Sequence, residues 1–149
     1  AQHIAFGDPD STMSHLVPEY MLLMAGVRRK DLAEYRFLGG HHNVVLAVLA
    51  GDFDAGAVKD EVFQEYAPKG LRALAETPAF SDHVFVTRAT LPADTVQTLR
   101  AALLRLKTLP EGAAIMQSIK KDMTALIPAA DNDYDNLRTV VKTLESRHD

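Results

Sequence analysis

The sequence predicts an α/β protein with a mostly parallel sheet, and three observations point there. Short strand-like runs at residues 3–6, 35–38 and 55–58 alternate with longer stretches of helical apolar spacing. Glycines separate these runs, at Gly26, at Gly39 and Gly40, and at Gly51. The connections are short, which suits right-handed strand–helix–strand crossovers that lay successive strands side by side in parallel. With 149 residues, 47% hydrophobic and 24% charged, the chain is long enough to bury a core.

The elements follow in order. After the first strand, Leu16, Tyr20, Leu23 and Met24 define one face of a helix that Gly26 can terminate, with Pro18 in or near its first turn. The second strand leads through Gly39 and Gly40 into a helix carrying Val44, Val45, Val48 and Leu49, which stops at Gly51. Residues 72–75 and 83–87 read as two later strands. Beyond Pro92 the pattern becomes helical: residues 93–107 place Val96, Leu99, Leu103 and Leu106 on one face, residues 111–119 form a shorter helix, and residues 134–147 carry Leu137, Val140, Val141 and Leu144.

Composition excludes several classes of function. A net charge of −4, with 16 Lys and Arg dispersed along the chain, offers no basic face for nucleic acid. The longest apolar runs, such as residues 44–50, are far shorter than a bilayer crossing, and no charged segment followed by an apolar run precedes His3. The absence of cysteine removes disulfides, zinc–thiolate sites and thiol catalysis. No nucleophile elbow, phosphate-binding P-loop or His-Glu-x-x-His helix occurs, so no enzyme is expected. The run "DNDYDN" at 131–136 has the Asp spacing of a calcium loop, but Asn136 stands where that loop needs glycine and Lys142 where it needs glutamate. It reads instead as a helix start with acidic residues in its first turn. Neither a metal nor any other cofactor is implied.

In open parallel sheets, ligands sit beyond the carboxyl ends of the strands. Three loops therefore matter, at residues 8–14, 39–43 and 59–61. Ser11, Thr12 and Ser14 lie where a strand passes into a helix, and their hydroxyls can cap that helix or help hold an anion. His41 and His42 open the next helix as capping or surface groups, or as anion donors. Asp60, Glu61 and Asp82 are ordinary solvated carboxylates or partners for a cationic group.

The segments "DPDSTMSHLVP", "FLGGHHNVVLAVLAGDFDAGAVKDEVF", "FVTRATLP" and "DNDYDNLR" occur in an order that resembles the phosphate/phosphite/phosphonate-binding proteins of ABC importers, members of the type II periplasmic binding protein fold. The resemblance implies a three-layer α/β lobe over residues 1–92 that binds a ligand. It also implies a helical segment over 93–149 that in the family packs on another lobe, whose opening half has no counterpart here. On this reading Ser11, Thr12 and His41 match anion-binding positions, while Met13 stands at the family's next hydroxyl and Ser14 at its glycine, so that either Ser14 substitutes from one position away or the anion site is weakened or remodelled. His42 replaces an acidic residue, Asp60 and Glu61 fall where some members face a ligand amine, and Asp82 matches another such carboxylate.

Import of a small oxyanion such as phosphonate, phosphite or phosphate, outside the cytoplasm and with an ABC permease as partner, is the function the resemblance implies. A sensor domain of a signalling receptor with the same fold is the alternative. The apolar faces at Leu99, Leu103, Leu106 and Val140 need cover from a second copy, a partner chain or a rearranged fold, and a homo-oligomer through the C-terminal helices is one expectation.

Overall fold

The computed structural model describes residues 2–81 and 83–147. Three parallel strands, β1 (His3–Phe6), β2 (Glu34–Phe37) and β3 (Ala55–Gly56), form a sheet in the order β2-β1-β3. β1 is central and pairs on both sides, His3 with Glu34 through Phe6 with Phe37 on one edge, and Ile4 with Ala55 and Ala5 with Gly56 on the other. The ladder to β2 runs on beyond the strand ends, because Leu38 N–H donates to Phe6 O and Gly39 N–H to Gly7 O, both at 2.9 Å. Ala5 and Phe6 are fully buried, as the middle strand of a covered sheet requires.

The two faces are distinguished by what packs on them. Helix α2 (His41–Ala50) lies directly on β3: a Cβ placed on Gly56 would come 2.4 Å from Val44 Cγ1 and 3.1 Å from Val48 Cγ2. Gly51 ends α2 in the left-handed region, with φ of 83°, and its N–H bonds back to Ala47 and Val48. On the opposite face Phe6 meets the rings of Tyr35, Phe37 and His15. Here the chain forms a wide turn over Thr12–Leu16, closed by Leu16 N–H to Ser11 O, and continues as α1 (Val17–Met24) with Pro18 in its first turn. Helix α3 (Asp60–Tyr66) follows β3 and packs beside α2.

The chain separates into two compact units, residues 1–80 with 135–149, and residues 81–134. In the first, α6 (Asp135–Glu145) returns to pack on α1, so that Val140 and Leu144 are buried with Val17 and are flanked by Tyr20, Leu23, Phe80 and Leu137. Sheet, α2 on one face and the α1–α6 pair on the other make a three-layer α/β arrangement. In the second unit α4 (Ala93–Arg105) runs through a tight turn at Leu106–Thr108 into α5 (Gly112–Ile119). Gly112 has no room for a side chain, since an added Cβ would lie 1.7 Å from Leu106 O.

The expected strands at 72–75 and 83–87 do not form. Their apolar residues are exposed, Leu74 71% and Val86 81%, and among the described residues no neighbouring strand completes a ladder for them. A β-prone run without a partner leaves its backbone to water. β3 is likewise shorter than the run at 55–58, although Ala57 N–H still bonds to Ala5 O.

Candidate site at the carboxyl edge of the sheet

The 8–14 loop is shaped by its own short-range bonds. Ser11 N–H donates to Asp8 O at 3.0 Å and Asp10 N–H to Asp8 Oδ1 at 2.9 Å. Ser11 then caps the wide turn, its Oγ accepting from Ser14 N–H at 3.2 Å. That bond uses the oxygen as acceptor and leaves the Ser11 O–H free to donate. Thr12, half-buried, makes no side-chain hydrogen bond among the described residues. Ser14 is 1% exposed and its Oγ has no hydrogen-bond partner among the described residues. A buried hydroxyl without a partner costs about 1–3 kcal/mol, so a group that supplied one would stabilise the loop.

Gly7 brings the first two loops together. A Cβ on Gly7 would sit 2.2 Å from Ser14 Oγ and 3.7 Å from the Gly40 carbonyl carbon, so the Ser14 side chain and the start of α2 close on the same point. Gly39 turns the chain there at φ of 79°, a conformation that favours glycine. Asn43 Nδ2 donates to Leu38 O at 2.6 Å and braces the turn. The first backbone N–H groups of α2 then face out of the helix without intrahelical acceptors.

His41 links the second loop to the third. Its Nδ1 lies 3.0 Å from Lys59 N–H, a group that can only donate, so Nδ1 accepts and the ring proton sits on Nε2. Burial, together with the positive charges of Lys59 and His42, lowers the pKa of His41 below its ordinary 6.5, with Glu61 opposing. The result is a neutral imidazole whose remaining Nε2–H is a donor. His42 turns away to Glu65, 3.7 Å from its Oε2, and stacks edge-on with Tyr66. Asp60 and Glu61 occupy the first turn of α3, both exposed, with Glu61 Oε2 3.5 Å from Lys59 Nζ. Asp82 lies outside the described residues.

Sequence reasoning missed three contributors: Gly7, the Lys59 N–H that fixes the His41 tautomer, and a part-buried trio behind the loop. In the trio His15, Glu19 and Arg29 meet on the Phe6 face of the sheet. The i, i+4 spacing of His15 and Glu19 on an otherwise apolar helix was the available signal. Glu19 bonds both His15 and Arg29. Burial pushes its carboxyl up, but the hydrogen bonds from His15 and Arg29 and their charges outweigh that and hold its pKa down at about 2.

The carboxyl edge of the parallel sheet thus gathers hydroxyls, an imidazole donor and helix N-termini. The family described as "ABC transporter, phosphonate, periplasmic substrate-binding protein" matches residues 1–134, and the chain belongs to it. A probable ABC transporter phosphite-binding protein, PhnD1 of Prochlorococcus marinus, is 34% identical over 94 residues, which is 58% of this chain and 32% of that protein. The solved structure of PhnD1 from the same organism in complex with methylphosphonate superposes with a TM-score of 0.81 at 26% identity, over 97% of this chain and 57% of that one. XAC2383 from Xanthomonas citri bound to ATP superposes equally well, TM-score 0.81, at 19% identity over 99% of this chain and 61% of its own, a likeness of fold alone. This chain therefore spans little more than half of the solved relatives. No helix among the described residues is long and apolar enough to cross a membrane.

Proposed function

We propose that the carboxyl edge of the sheet binds a small oxyanion of the phosphonate, phosphite or phosphate class, and that the protein serves its import through an ABC permease outside the cytoplasm. One observation carries this reading: the Ser11 O–H, Thr12 O–H and His41 Nε2–H are donors with no acceptor among the described residues, and they lie on loops that meet at Gly7, Gly40 and Lys59. Ser14 belongs to the same site as the hydroxyl that lacks a partner. An oxyanion is acceptor-only, which suits a set of donors. Asp60, Glu61 and Asp82 supply carboxylates for an amine on a larger phosphonate. The family is defined by transport rather than by a reaction, and binding without conversion is the reading adopted here. Nothing observed favours the receptor-domain alternative.

Titration with phosphate, phosphite and methylphosphonate tests this. For the contacts at this edge of the sheet, affinity should lie nearer millimolar than micromolar, roughly 4 kcal/mol weaker than a micromolar site. Thr12→Ala removes one donor to a charged ligand and should cost about 1–3 kcal/mol of binding. Methylphosphonate recovered unchanged after incubation is expected. Equal affinity in parent and variant would remove Thr12 from the site. Self-association through the C-terminal helices is part of the same proposal, because Leu99, Ile115 and Ile119 expose apolar surface. Sedimentation as a compact monomer would count against it.

A further inference from the structure

We propose that His15 is a positioning residue for the anion loop, holding residues 8–14 in the conformation that presents Ser11 and Thr12, with Glu19 and Arg29 holding His15 in turn. The inference rests on the binding reading above for its consequence, but its geometry stands on separate contacts. His15 Nδ1 lies 2.5 Å from the carbonyl oxygen of Pro9, six residues earlier in the loop. A carbonyl only accepts, so Nδ1 carries the proton. The residue is 5% exposed, and its ring is wedged edge-on against Phe37, centroids 4.7 Å apart at 89°, and against Phe6 at 5.2 Å.

At the other ring nitrogen, Nε2 sits 2.9 Å from Glu19 Oε2 and 3.0 Å from Arg29 Nη2. One neighbour can only accept and the other can only donate. A neutral ring takes the hydrogen bond from Arg29, a charged ring gives one to Glu19, and Nδ1–H stays on Pro9 in both cases. Arg29 itself donates to Glu19 Oε2 at 2.7 Å and lies 5.1 Å over the Tyr35 ring. The charged and titratable groups facing His15 are therefore Glu19 from α1 and Arg29 from the turn before β2, with Tyr35 behind Arg29. Phe6 and Phe37 complete its surroundings. Either arrangement at Nε2 leaves the loop bond at Nδ1 in place. Pro9 has no N–H of its own to anchor the loop, and its carbonyl is the tether. Because Ser14 and His15 are neighbours, fixing the ring also fixes the turn that Ser11 caps.

A loop held before the ligand arrives loses less entropy on binding. The first test is made without ligand on the whole chain. Nitrogen-15 spectra of the His15 ring at neutral pH should show Nδ1 protonated. A deprotonated Nδ1 at neutral pH overturns the proposal in the parent protein, whatever the variants do. His15→Phe keeps the ring and its packing but removes both nitrogens. It should speed amide exchange at Ser11, Ser14 and Leu16 about tenfold, and weaken methylphosphonate binding by about five- to tenfold, the equivalent of one side chain's ordering. His15→Asn, which puts an amide donor near the Nδ1 position, should restore most of the protection. Unchanged exchange in His15→Phe with an intact melting transition, or no recovery in His15→Asn, overturns it. If exchange responds as expected while the parent binds no anion, the positioning role stands and the binding reading falls.

Discussion

The two units of this chain are built on opposite principles. Residues 1–80 with 135–149 fold around a three-stranded sheet, and nearly all the described core lies there: Ala5, Phe6, Val17, Val44, Val45, Val62, Val140 and Leu144. Among the described residues of 81–134 there are two α-helices and one large buried apolar side chain, Met116, while Leu99 is 47% and Ile127 78% exposed. The same kinds of apolar residue serve a core in one and a surface in the other. A hydrophobic stripe shows that a helix face seeks cover, and only its partner determines whether it finds it.

The sharpest way to break that contrast is to delete the same side chain in both units. Leu144→Ala opens a hole in the Val17–Val140 cluster and should cost about 2–5 kcal/mol of unfolding free energy. Leu99→Ala should cost less than about 1 kcal/mol, since it is already half exposed. Urea melts of the two variants check this, and equal losses would mean that the second unit is as well packed as the first.

Acid should act next, through Glu19. Its carboxyl falls from an ordinary 4.5 to about 2 in the folded chain. The unfolded chain therefore binds the proton first as pH drops. The stability Glu19 contributes is complete above about 4.5 and is lost as pH falls toward 2, on the order of 3 kcal/mol. Melting temperatures of parent and Glu19→Gln should converge over that window.

Gly7→Ala is a smaller perturbation in the first unit. The new methyl meets Ser14 Oγ and Cβ, at 2.2 and 2.7 Å before relaxation, and the overpacking should cost about 1–3 kcal/mol. Pairing it with Ser14→Gly should recover most of that loss, because the clash is with the Ser14 side chain alone. Smallest is the response of His41, whose pKa is lowered by burial and by the positive charges of Lys59 and His42. Its share of stability is full above the ordinary 6.5 and declines as pH falls through the lowered value. A bound anion beside the ring should raise its titration midpoint in an NMR pH series, and an unmoved midpoint would separate His41 from the ligand.

Much of the first unit was legible because its signals are local. β1 spans His3–Phe6 as read, α2 stops at Gly51, and Ser11 caps the first helical turn. The amphipathic face of α6 was equally clear, but its destination on α1 is set by residues more than 100 positions away and leaves no local trace. The runs at 72–75 and 83–87 have strand composition, yet a strand exists only with a neighbour to bond to. At the proposed site, the family resemblance put forward Ser11, Thr12 and His41, whereas the tautomer of His41 depends on a backbone N–H 18 residues later. The His15, Glu19 and Arg29 contacts likewise join a turn, a helix and a later loop. Such groupings become visible only when the chain is folded.

The central claim, an oxyanion site at the carboxyl edge of the sheet and nowhere in the second unit, is tested most directly by following backbone amide shifts during methylphosphonate titration. The account predicts saturable shifts at Ser11, Thr12, Ser14, Gly40, His41 and His42 in the millimolar range, with α4 and α5 unmoved. No shift in either loop at those concentrations, or shifts centred on α4 and α5, would contradict it.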